Sequence, residues 1–238
     1  MLTLHHLEAS RSIRVLWLLE TLNTPYEIKH YARDPKTRLG VDAAFSGKGL
    51  AAVHPLARSP VLTDGELVIS ETGAIFQYLL AHYGGVDIAA KTQQAQELSF
   101  WLHFSEASFM LHLMPLHYAN RAGVLTDDGS SAQEAIIARG LKVDIEYIER
   151  TLRANGGSLL GGGIGPADIC NIFGLEMFAA MTGARSAAWR EKLGLAVGPE
   201  IQKWLERCAA EPAYKEAQKK EGDCKEALYV SKLFKQPS

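Results

Sequence analysis

The sequence contains few cysteines, almost no net charge and no long apolar run. Its three cysteines, Cys170, Cys208 and Cys224, are widely separated in a chain of 238 residues. This spacing fits neither a disulfide framework nor a metal site, so we expect three packing thiols and no bound metal. Because no cysteine precedes Cys170, a mechanism that uses a protein thiol in the first third of the chain is excluded.

The charge balance and hydropathy exclude two further classes of protein. A formal net charge of -2 and a pI near 6.5 give no basic surface of the kind that binds DNA or RNA. No apolar stretch approaches the length of a membrane span, and the first residues lack the basic start and apolar core of a signal peptide. We therefore expect no nucleic-acid partner, no membrane association and a cytoplasmic location. The hydrophobic content of 47% is ample for packed cores.

The segment 57–75, which reads A-R-S-P-V-L-T-D-G-E-L-V-I-S-E-T-G-A-I, carries the strongest local signals in the chain. Asp64-Gly65 lies between two apolar runs and is a two-residue hairpin signal, so the flanking runs should pair as antiparallel strands. Pro60 suits the first residue of such a strand, because proline cannot donate to a sheet ladder. Glu71-Thr72 then lies where the second strand gives way to a helix.

Two backbone features of this segment predict a peptide-binding site. A cis Ser59–Pro60 bond is expected, since cis bonds occur almost only before proline. Such a bond would leave the backbone N–H and C=O of Ser59 free to pair with an extended ligand. The helix start at Thr72 offers N–H groups to a carboxylate. One short peptide with a free carboxylate would satisfy both.

The order of the predicted elements divides the chain into an α/β part and a helical part. The first part is predicted as strand (1–7), helix (12–22), strand (26–32), irregular segment with a short helix (34–56), hairpin (60–70) and helix (72–83). This is the thioredoxin-like order, and the remainder has helical spacing. Pro115 should bend or interrupt the far end of a helix over 93–118, and Ser131 with Glu134 should form the capping box of a later helix. The tail from Lys215, rich in Lys and Glu, is predicted as a solvated helix with a loosely held end.

Three stretches in the first third of the chain carry a family resemblance. They are S-R-S-I-R-V-L-W-L-L-E, H-P-L-A-R-S-P-V-L and S-E-T-G-A-I, in this order. Through them the chain resembles the cytosolic glutathione transferases, in particular the serine-type classes related to theta and zeta and the bacterial and fungal proteins close to them. The resemblance implies an α/β thioredoxin-like N-terminal domain followed by an all-α C-terminal domain. The implied limits are 1–85 for the glutathione-binding domain, 86–91 for a linker, and 92–238 for a helical domain that carries the hydrophobic co-substrate side and the dimer contacts.

The resemblance also implies an activity. Such enzymes bind glutathione so that its thiol ionises near neutral pH, and the thiolate then attacks an electrophilic carbon or reduces a peroxide. We expect a homodimeric transferase with glutathione as co-substrate, a small hydrophobic electrophile as second substrate and no further cofactor. Two alternatives stay open: glutathione-dependent disulfide reduction without a protein thiol, and a non-catalytic glutathione-binding or interaction module on the same fold.

Ser10 and Ser12 are the candidates for the hydroxyl that stabilises the thiolate. Alignment on I-R-V-L-W puts Ser10 at the family's catalytic serine, whereas capping of the first helix would by itself favour serine at both positions. A hydroxyl that donates to an anion contributes about 1.5–3 kcal/mol, and a helix N-terminus adds about 0.3–1 kcal/mol. Together these are enough to lower the thiol pKa by about two units, which takes about 2.7 kcal/mol.

Five further positions match the family's glutathione contacts. Arg58 falls beside the glycine end of glutathione, or it is a solvated surface arginine. Ser59, next to Pro60, would contribute its backbone only. Glu71 and Thr72 match the acid–hydroxyl pair that binds the γ-glutamyl group, with Thr in place of the commoner Ser. A helix start with acidic compensation of its dipole would give the same pattern.

Several other residues are expected to be structural. His5 and His6 are neighbours on a strand, so they should face opposite sides of the sheet. Arg14 is expected to be an ion-pair partner, and Asp168, near a helix start capped by Gly165, to complement the helix dipole. Four large side chains should fill mostly core, with one helix face left for the co-substrate pocket: Trp101, Phe104, Phe109 and Met110.

Overall fold

Five strands and two helices form the first part of the fold in the computed structural model, which describes residues 1–33, 40–42 and 49–221. The strands are β1 (Leu2–Leu7), β2 (Tyr26–Arg33), β3 (Gly40–Asp42), β4 (Val61–Asp64) and β5 (Leu67–Ser70), and the helices are α1 (Ser12–Leu22) and α2 (Thr72–His82). The sheet order is β3-β2-β1-β4-β5. β1 and β2 run parallel, and the other neighbours run antiparallel. This is the mixed sheet of a thioredoxin-like domain, as predicted.

The hairpin prediction is confirmed. β4 and β5 pair from Val61 with Ser70 to Asp64 with Leu67, and Gly65 takes the positive φ of 59° that the two-residue turn favours.

The described part of the segment 34–56 includes one strand that the sequence does not predict. It contains β3 and a short 3₁₀ turn at Leu50–Ala52, while 34–39 and 43–48 lie outside the described residues. The sequence does not reveal β3, because a strand of three residues is too short to display an alternating pattern.

The rest of the described chain is helical. Its helices are α3 (Gln93–Phe104), α4 (Met110–Arg121), α5 (Ala132–Ala154), α6 (Pro166–Ala184), α7 (Ala187–Leu193), α8 (Pro199–Ala210) and α9 (Pro212–Glu221), and one turn of π-helix at Ser105–Phe109 joins α3 to α4. Pro115 lies inside α4 and does not interrupt it. The backbone hydrogen bond lost at the proline is offset by the burial of Leu113 and Leu116 on either side.

The capping box predicted at the start of α5 forms only in part. Ser131 Oγ accepts from the N–H of Glu134 at 3.4 Å. The Glu134 carboxylate, however, accepts from the N–H of Thr126 at 2.7 Å and from the indole of Trp189 at 3.0 Å. A tertiary contact thus replaces the second half of the box.

Asp168 is a structural residue, as expected. It is buried in the first turn of α6, where it accepts from the N–H of Gly165 at 3.0 Å, the N–H of Leu159 at 2.9 Å and the indole N–H of Trp204 at 2.6 Å. Burial raises the pKa of this carboxyl group, and the hydrogen bonds act in the opposite direction. The carboxylate joins the loop before α6 to α8.

The last described helix corrects the prediction for the tail. The residues of α9 that are buried are Tyr214, Ala217 and Glu221, and the ring of Tyr214 lies 4.4 Å from that of Trp17 on α1. The Lys- and Glu-rich composition predicts a solvated helix, but the buried positions share one helix face, and that face packs on α1. Cys224 and the predicted loose end lie outside the described residues.

The chain divides into two compact units. One comprises Met1–Gln96 and α9, and the other comprises Glu97–Ala209. The predicted domain limits, 1–85 and 92–238, stay a proposal. In the second unit Cys170 and Cys208 are buried, and so are the four large side chains predicted to fill mostly core. Within the described ranges, none of the helices has the length and apolar character needed to cross a membrane.

Candidate active site

The loop between β1 and α1 has an uncommon backbone conformation. Ala9 has a positive φ of 47°, which is rare for residues other than glycine. Its N–H donates to Oε1 of Glu221 on α9 at 3.2 Å, and its C=O accepts from Nη2 of Arg33 at 2.9 Å. Both backbone groups of Ala9 are therefore held by side chains from other elements. These bonds fix the position of Ser10, which follows directly.

Ser10 and Ser12 are neighbours with different surroundings. Their hydroxyl oxygens are 3.1 Å apart, and Ser10 Oγ also accepts from the N–H of Ser12 at 3.2 Å. Ser10 is 7% exposed, whereas Ser12 is 0% exposed. The Ser12 Oγ lies 2.6 Å from Nδ1 of His6 and 3.4 Å from the C=O of Leu7. Ser10 thus accepts an N–H at the helix start, as a cap does, while the hydroxyl of Ser12 turns inward to β1 instead.

His6 and Glu221 extend this buried polar group. Burial, and to a lesser extent the neighbouring His30, lower the pKa of His6 to about 3. The ring is therefore neutral at neutral pH, and its Nε2 lies 3.7 Å from Oε1 of Glu221. His5 has separate partners, with Nδ1 at 2.9 Å from the hydroxyl of Tyr31. No local sequence signal connects His6 to Glu221, because they meet only through the packing of α9.

The start of β4 is tied to β1 by a side chain. The Ser59–Pro60 bond is cis, as predicted. Ser59 Oγ donates to the C=O of His5 at 3.1 Å and accepts from the N–H of Leu7 at 3.2 Å. These bonds occupy the hydroxyl of Ser59, and its backbone contact with glutathione stays a prediction. Its hydroxyl continues the pairing of β1 beyond the backbone register with β4, which ends at His5 and Val61.

The start of α2 is tied to α1 by a buried arginine. Glu71, the residue before the helix, is exposed and has φ 75° and ψ 126°. Thr72 is buried, and its Oγ1 accepts from Nη2 of Arg14 at 3.0 Å. Arg14 is itself completely buried in α1. Because a charged donor occupies the oxygen of Thr72, the hydroxyl proton of Thr72 is directed away from Arg14. The sequence predicts an ion pair for Arg14, and it does not predict this hydrogen bond to Thr72.

In the described part of the chain, some of the candidate residues are hydrogen-bonded to neighbouring elements of the fold, and Arg58 is not. Ser10 is joined to the start of α1, Thr72 is joined to α1 through Arg14, and Ser59 is joined to β1. Arg58 is exposed, and among the described residues no hydrogen bond joins it to any of the other five candidate residues. All of them belong to the unit that contains the sheet.

Three comparisons with known proteins agree in the family that they indicate. The family model described as glutathione S-transferase, N-terminal domain, matches residues 1–81. Glutathione S-transferase 1 of Saccharomyces cerevisiae is 28% identical over 240 residues, which is 91% of this chain and 93% of the yeast protein. A crystal structure of a glutathione S-transferase from Actinobacillus pleuropneumoniae is 29% identical, covers 93% of each chain and has a TM-score of 0.72.

A more distant structure is described with glutathione bound. It is the crystal structure of a glutathione transferase family member from Pseudomonas fluorescens, described with two glutathione bound, and it is 21% identical to this chain. It covers 91% of each chain with a TM-score of 0.69. At this identity the likeness shows the fold alone.

The mixed sheet followed by helices defines a thioredoxin-like protein with a helical C-terminal part. Within that class, the family model over residues 1–81 and the relatives above all support the cytosolic glutathione transferase superfamily. The resemblance, the glutathione transferase fold and the prediction of a glutathione transferase enzyme are thereby confirmed. The serine-type class stays a prediction.

Proposed function

We propose that this glutathione transferase uses Ser10 to stabilise the thiolate of glutathione and adds that thiolate to a small hydrophobic electrophile. The observation that carries the proposal is the hydrogen bond from the N–H of Ser12 to Ser10 Oγ at 3.2 Å. This bond holds the Ser10 oxygen at the start of α1. A hydroxyl held in place needs little reorganisation to donate to a sulfur anion, and the helix start adds a favourable potential. Ser12 is the weaker candidate, because its hydroxyl is completely buried against His6.

Glu71 and Thr72 would bind the γ-glutamyl end of glutathione, which carries an ammonium and a carboxylate. The exposed carboxylate of Glu71 suits the ammonium. Thr72 retains its hydroxyl proton for the ligand carboxylate, because its oxygen already accepts from Arg14. The buried guanidinium also places a positive charge behind that hydroxyl, which favours an anion there.

Arg58, Ser59 and Pro60 would hold the remainder of glutathione. The hydroxyl of Ser59 is engaged with β1, so its backbone is the part left for an extended peptide. The exposed guanidinium of Arg58 suits the carboxylate of the glycine end.

Glu71→Gly should make the protein more stable and its glutathione binding weaker. A residue other than glycine at φ 75° carries a conformational cost of about 1–3 kcal/mol, which glycine does not have. We expect the free energy of unfolding to rise by about 1 kcal/mol while the partner of the ligand ammonium is lost. Glu71→Ala is the matched control, because it removes the carboxylate but retains Cβ, so only affinity should fall. Chemical denaturation and calorimetric titration with glutathione measure the two effects, and unchanged affinity in both variants would remove Glu71 from the site.

The main alternatives differ in the reaction that follows glutathione binding. A panel assay of the purified protein with glutathione tests an aryl halide, an organic peroxide and a mixed disulfide. Conjugation of the aryl halide supports the proposal, and turnover of the peroxide would add a peroxidase activity by the same thiolate. Activity on the disulfide alone favours the reductase alternative. Inactivity on all three with glutathione still bound favours a non-catalytic module.

The protein should be a homodimer. Several large apolar side chains on the long helices are exposed in the single chain, among them Leu111 at 64%, Tyr118 at 63% and Ile136 at 67%. Apolar side chains at this density on neighbouring helices are typical of an interface. Light scattering at micromolar concentration should give twice the mass of the 26.1 kDa chain. The mass of a single chain would contradict the proposal.

We extend the proposal to location and partners. Membership of a cytosolic superfamily supports a cytoplasmic protein whose partners are glutathione, the electrophile and a second copy of the chain. Glutathione acts as co-substrate, with no other cofactor. Neither nucleic acid nor a membrane is assigned as a partner.

A further inference from the structure

A buried row of polar side chains behind Ser10 is not explained by the glutathione contacts proposed above. Ser10 Oγ lies 3.1 Å from Ser12 Oγ, which lies 2.6 Å from Nδ1 of His6. On the other side of the ring, Nε2 lies 3.7 Å from Oε1 of Glu221. All four side chains are buried. In such a row each proton can occupy few places, so the position of one proton decides the position of the next.

The neutral ring of His6 has one N–H and one bare nitrogen. Which nitrogen carries the proton depends on the partner of each. The carboxylate of Glu221 faces Nε2, and the same Oε1 is held in place by the N–H of Ala9 at 3.2 Å. At 3.7 Å the contact is not a hydrogen bond, and the carboxylate favours a proton on the facing nitrogen through its negative charge. Nε2 therefore carries the proton, and Nδ1 is an acceptor.

The single hydroxyl proton of Ser12 then goes to His6. The distance of 2.6 Å to Nδ1 is much shorter than the 3.1 Å to Ser10 Oγ and the 3.4 Å to the C=O of Leu7, the other two acceptors within reach. Having given its proton to His6, Ser12 can only accept from Ser10. In the protein without glutathione, the hydroxyl of Ser10 accordingly points inward, 3.1 Å from Ser12 Oγ.

We propose that Glu221, His6 and Ser12 are positioning residues that set the direction of the Ser10 hydroxyl by offering it a competing acceptor inside the protein. A charged thiolate is the stronger acceptor and draws the Ser10 hydroxyl outward, but it does so against the bond to Ser12. The contact from α9 thereby sets how acidic bound glutathione is. This inference rests on the proposed function, because it takes Ser10 as the donor to the thiolate.

The tautomer of His6 can be measured without glutathione. Nitrogen NMR of isotope-labelled histidine distinguishes a bare ring nitrogen from a protonated one, and loss of the signal in His6→Gln assigns it. We expect a protonated Nε2 and a bare Nδ1 at neutral pH. Glu221→Gln should retain this tautomer, because its amide oxygen can replace Oε1, whereas Glu221→Met should weaken the preference. A proton on Nδ1 in the unsubstituted protein would overturn the inference.

The consequence for Ser10 is measured with glutathione bound. Ultraviolet titration of the thiolate in Ser12→Ala should show the pKa of the bound thiol falling by roughly half a unit to one unit, since a competing neutral hydrogen bond is removed. If Ser12 is purely structural, Ser12→Ala should lower stability and leave the thiol pKa unchanged. If Ser12→Ala raises the thiol pKa, Ser12 is itself the donor to the thiolate. Either result overturns the inference. Glu221→Met should lower the thiol pKa by a smaller amount and Glu221→Gln should not, which keeps the test available if Ser12→Ala fails to fold.

Different results would contradict the proposed function and the positioning role of Glu221, His6 and Ser12. If the unsubstituted protein does not bind glutathione, the proposed function fails, while the tautomer of His6 is still decided by NMR. If glutathione binds and Ser10→Ala raises the thiol pKa but Ser12→Ala does not lower it, the proposed function stands and the positioning role is wrong.

Discussion

Ser10→Ala should raise the pKa of the bound glutathione thiol by about one to two units, because the variant removes a hydroxyl that donates to the anion. The affinity for glutathione should change little, since the γ-glutamyl and glycine ends keep their proposed contacts. At neutral pH the rate of conjugation should fall about ten- to hundredfold with the thiolate fraction. Ultraviolet titration of the thiolate and initial rates over a pH series measure both effects.

Ser10→Thr and Ser12→Ala are the matched controls for this result. Ser10→Thr retains the hydroxyl and should retain a low thiol pKa. Ser12→Ala removes the neighbouring hydroxyl and should not raise it. If Ser12→Ala raises the thiol pKa and Ser10→Ala does not, the alignment on I-R-V-L-W has assigned the wrong serine. If neither variant moves the pKa, the thiolate is stabilised by other groups.

Local chemistry was enough to predict the hairpin and the cis peptide bond. Asp-Gly is a favoured pair for a two-residue hairpin turn, because glycine adopts a positive φ without strain. Gly65 has φ 59°. Proline cannot donate to a sheet ladder, so Pro60 can stand directly before β4 without the loss of a ladder hydrogen bond. In both cases the cause lies within a few residues of the effect, and a sequence displays such causes directly.

The contacts around Ser10 could not be predicted because they join distant parts of the chain. Glu221 is 212 residues from Ala9 in sequence, yet its carboxylate accepts from the N–H of Ala9. Its segment is rich in Lys and Glu, which is typical of a solvated helix. The packing of α9 on α1, with Tyr214 against Trp17, brings this carboxylate into the core.

Two side chains show a similar limit at the glutathione site. Arg14 and Thr72 are 58 residues apart and meet because α1 and α2 pack together. An arginine in an apolar helix predicts a buried partner, but the sequence does not say which one. The bonds of the Ser59 hydroxyl are equally hidden from the sequence. Its partners, Leu7 and His5, belong to β1 and lie 52 and 54 residues away in the chain.

Thr72→Val should weaken glutathione binding about ten- to hundredfold. The substitution preserves the β-branched shape at the start of α2 but removes the hydroxyl proposed to donate to the ligand carboxylate. Loss of a donor to a charged group costs about 1.5–3 kcal/mol, which corresponds to this range of affinity. Calorimetric titration with glutathione measures the loss. Thr72→Ser is the control, since it retains the hydroxyl and should bind within a few-fold of the unsubstituted protein.

The same variant should also be less stable, and this second effect separates two roles of Thr72. Valine removes one acceptor of the Arg14 guanidinium, the Thr72 oxygen at 3.0 Å from Nη2, and Arg14 is completely buried. An acceptor lost inside the protein costs about 1–3 kcal/mol in the free energy of unfolding, which a melting curve and chemical denaturation detect. If stability falls while the affinity of the folded protein is unchanged, the hydroxyl of Thr72 serves Arg14 alone. The carboxylate of glutathione must then be bound elsewhere. If affinity and stability fall together and Thr72→Ser restores both, one hydroxyl joins the buried guanidinium to the ligand.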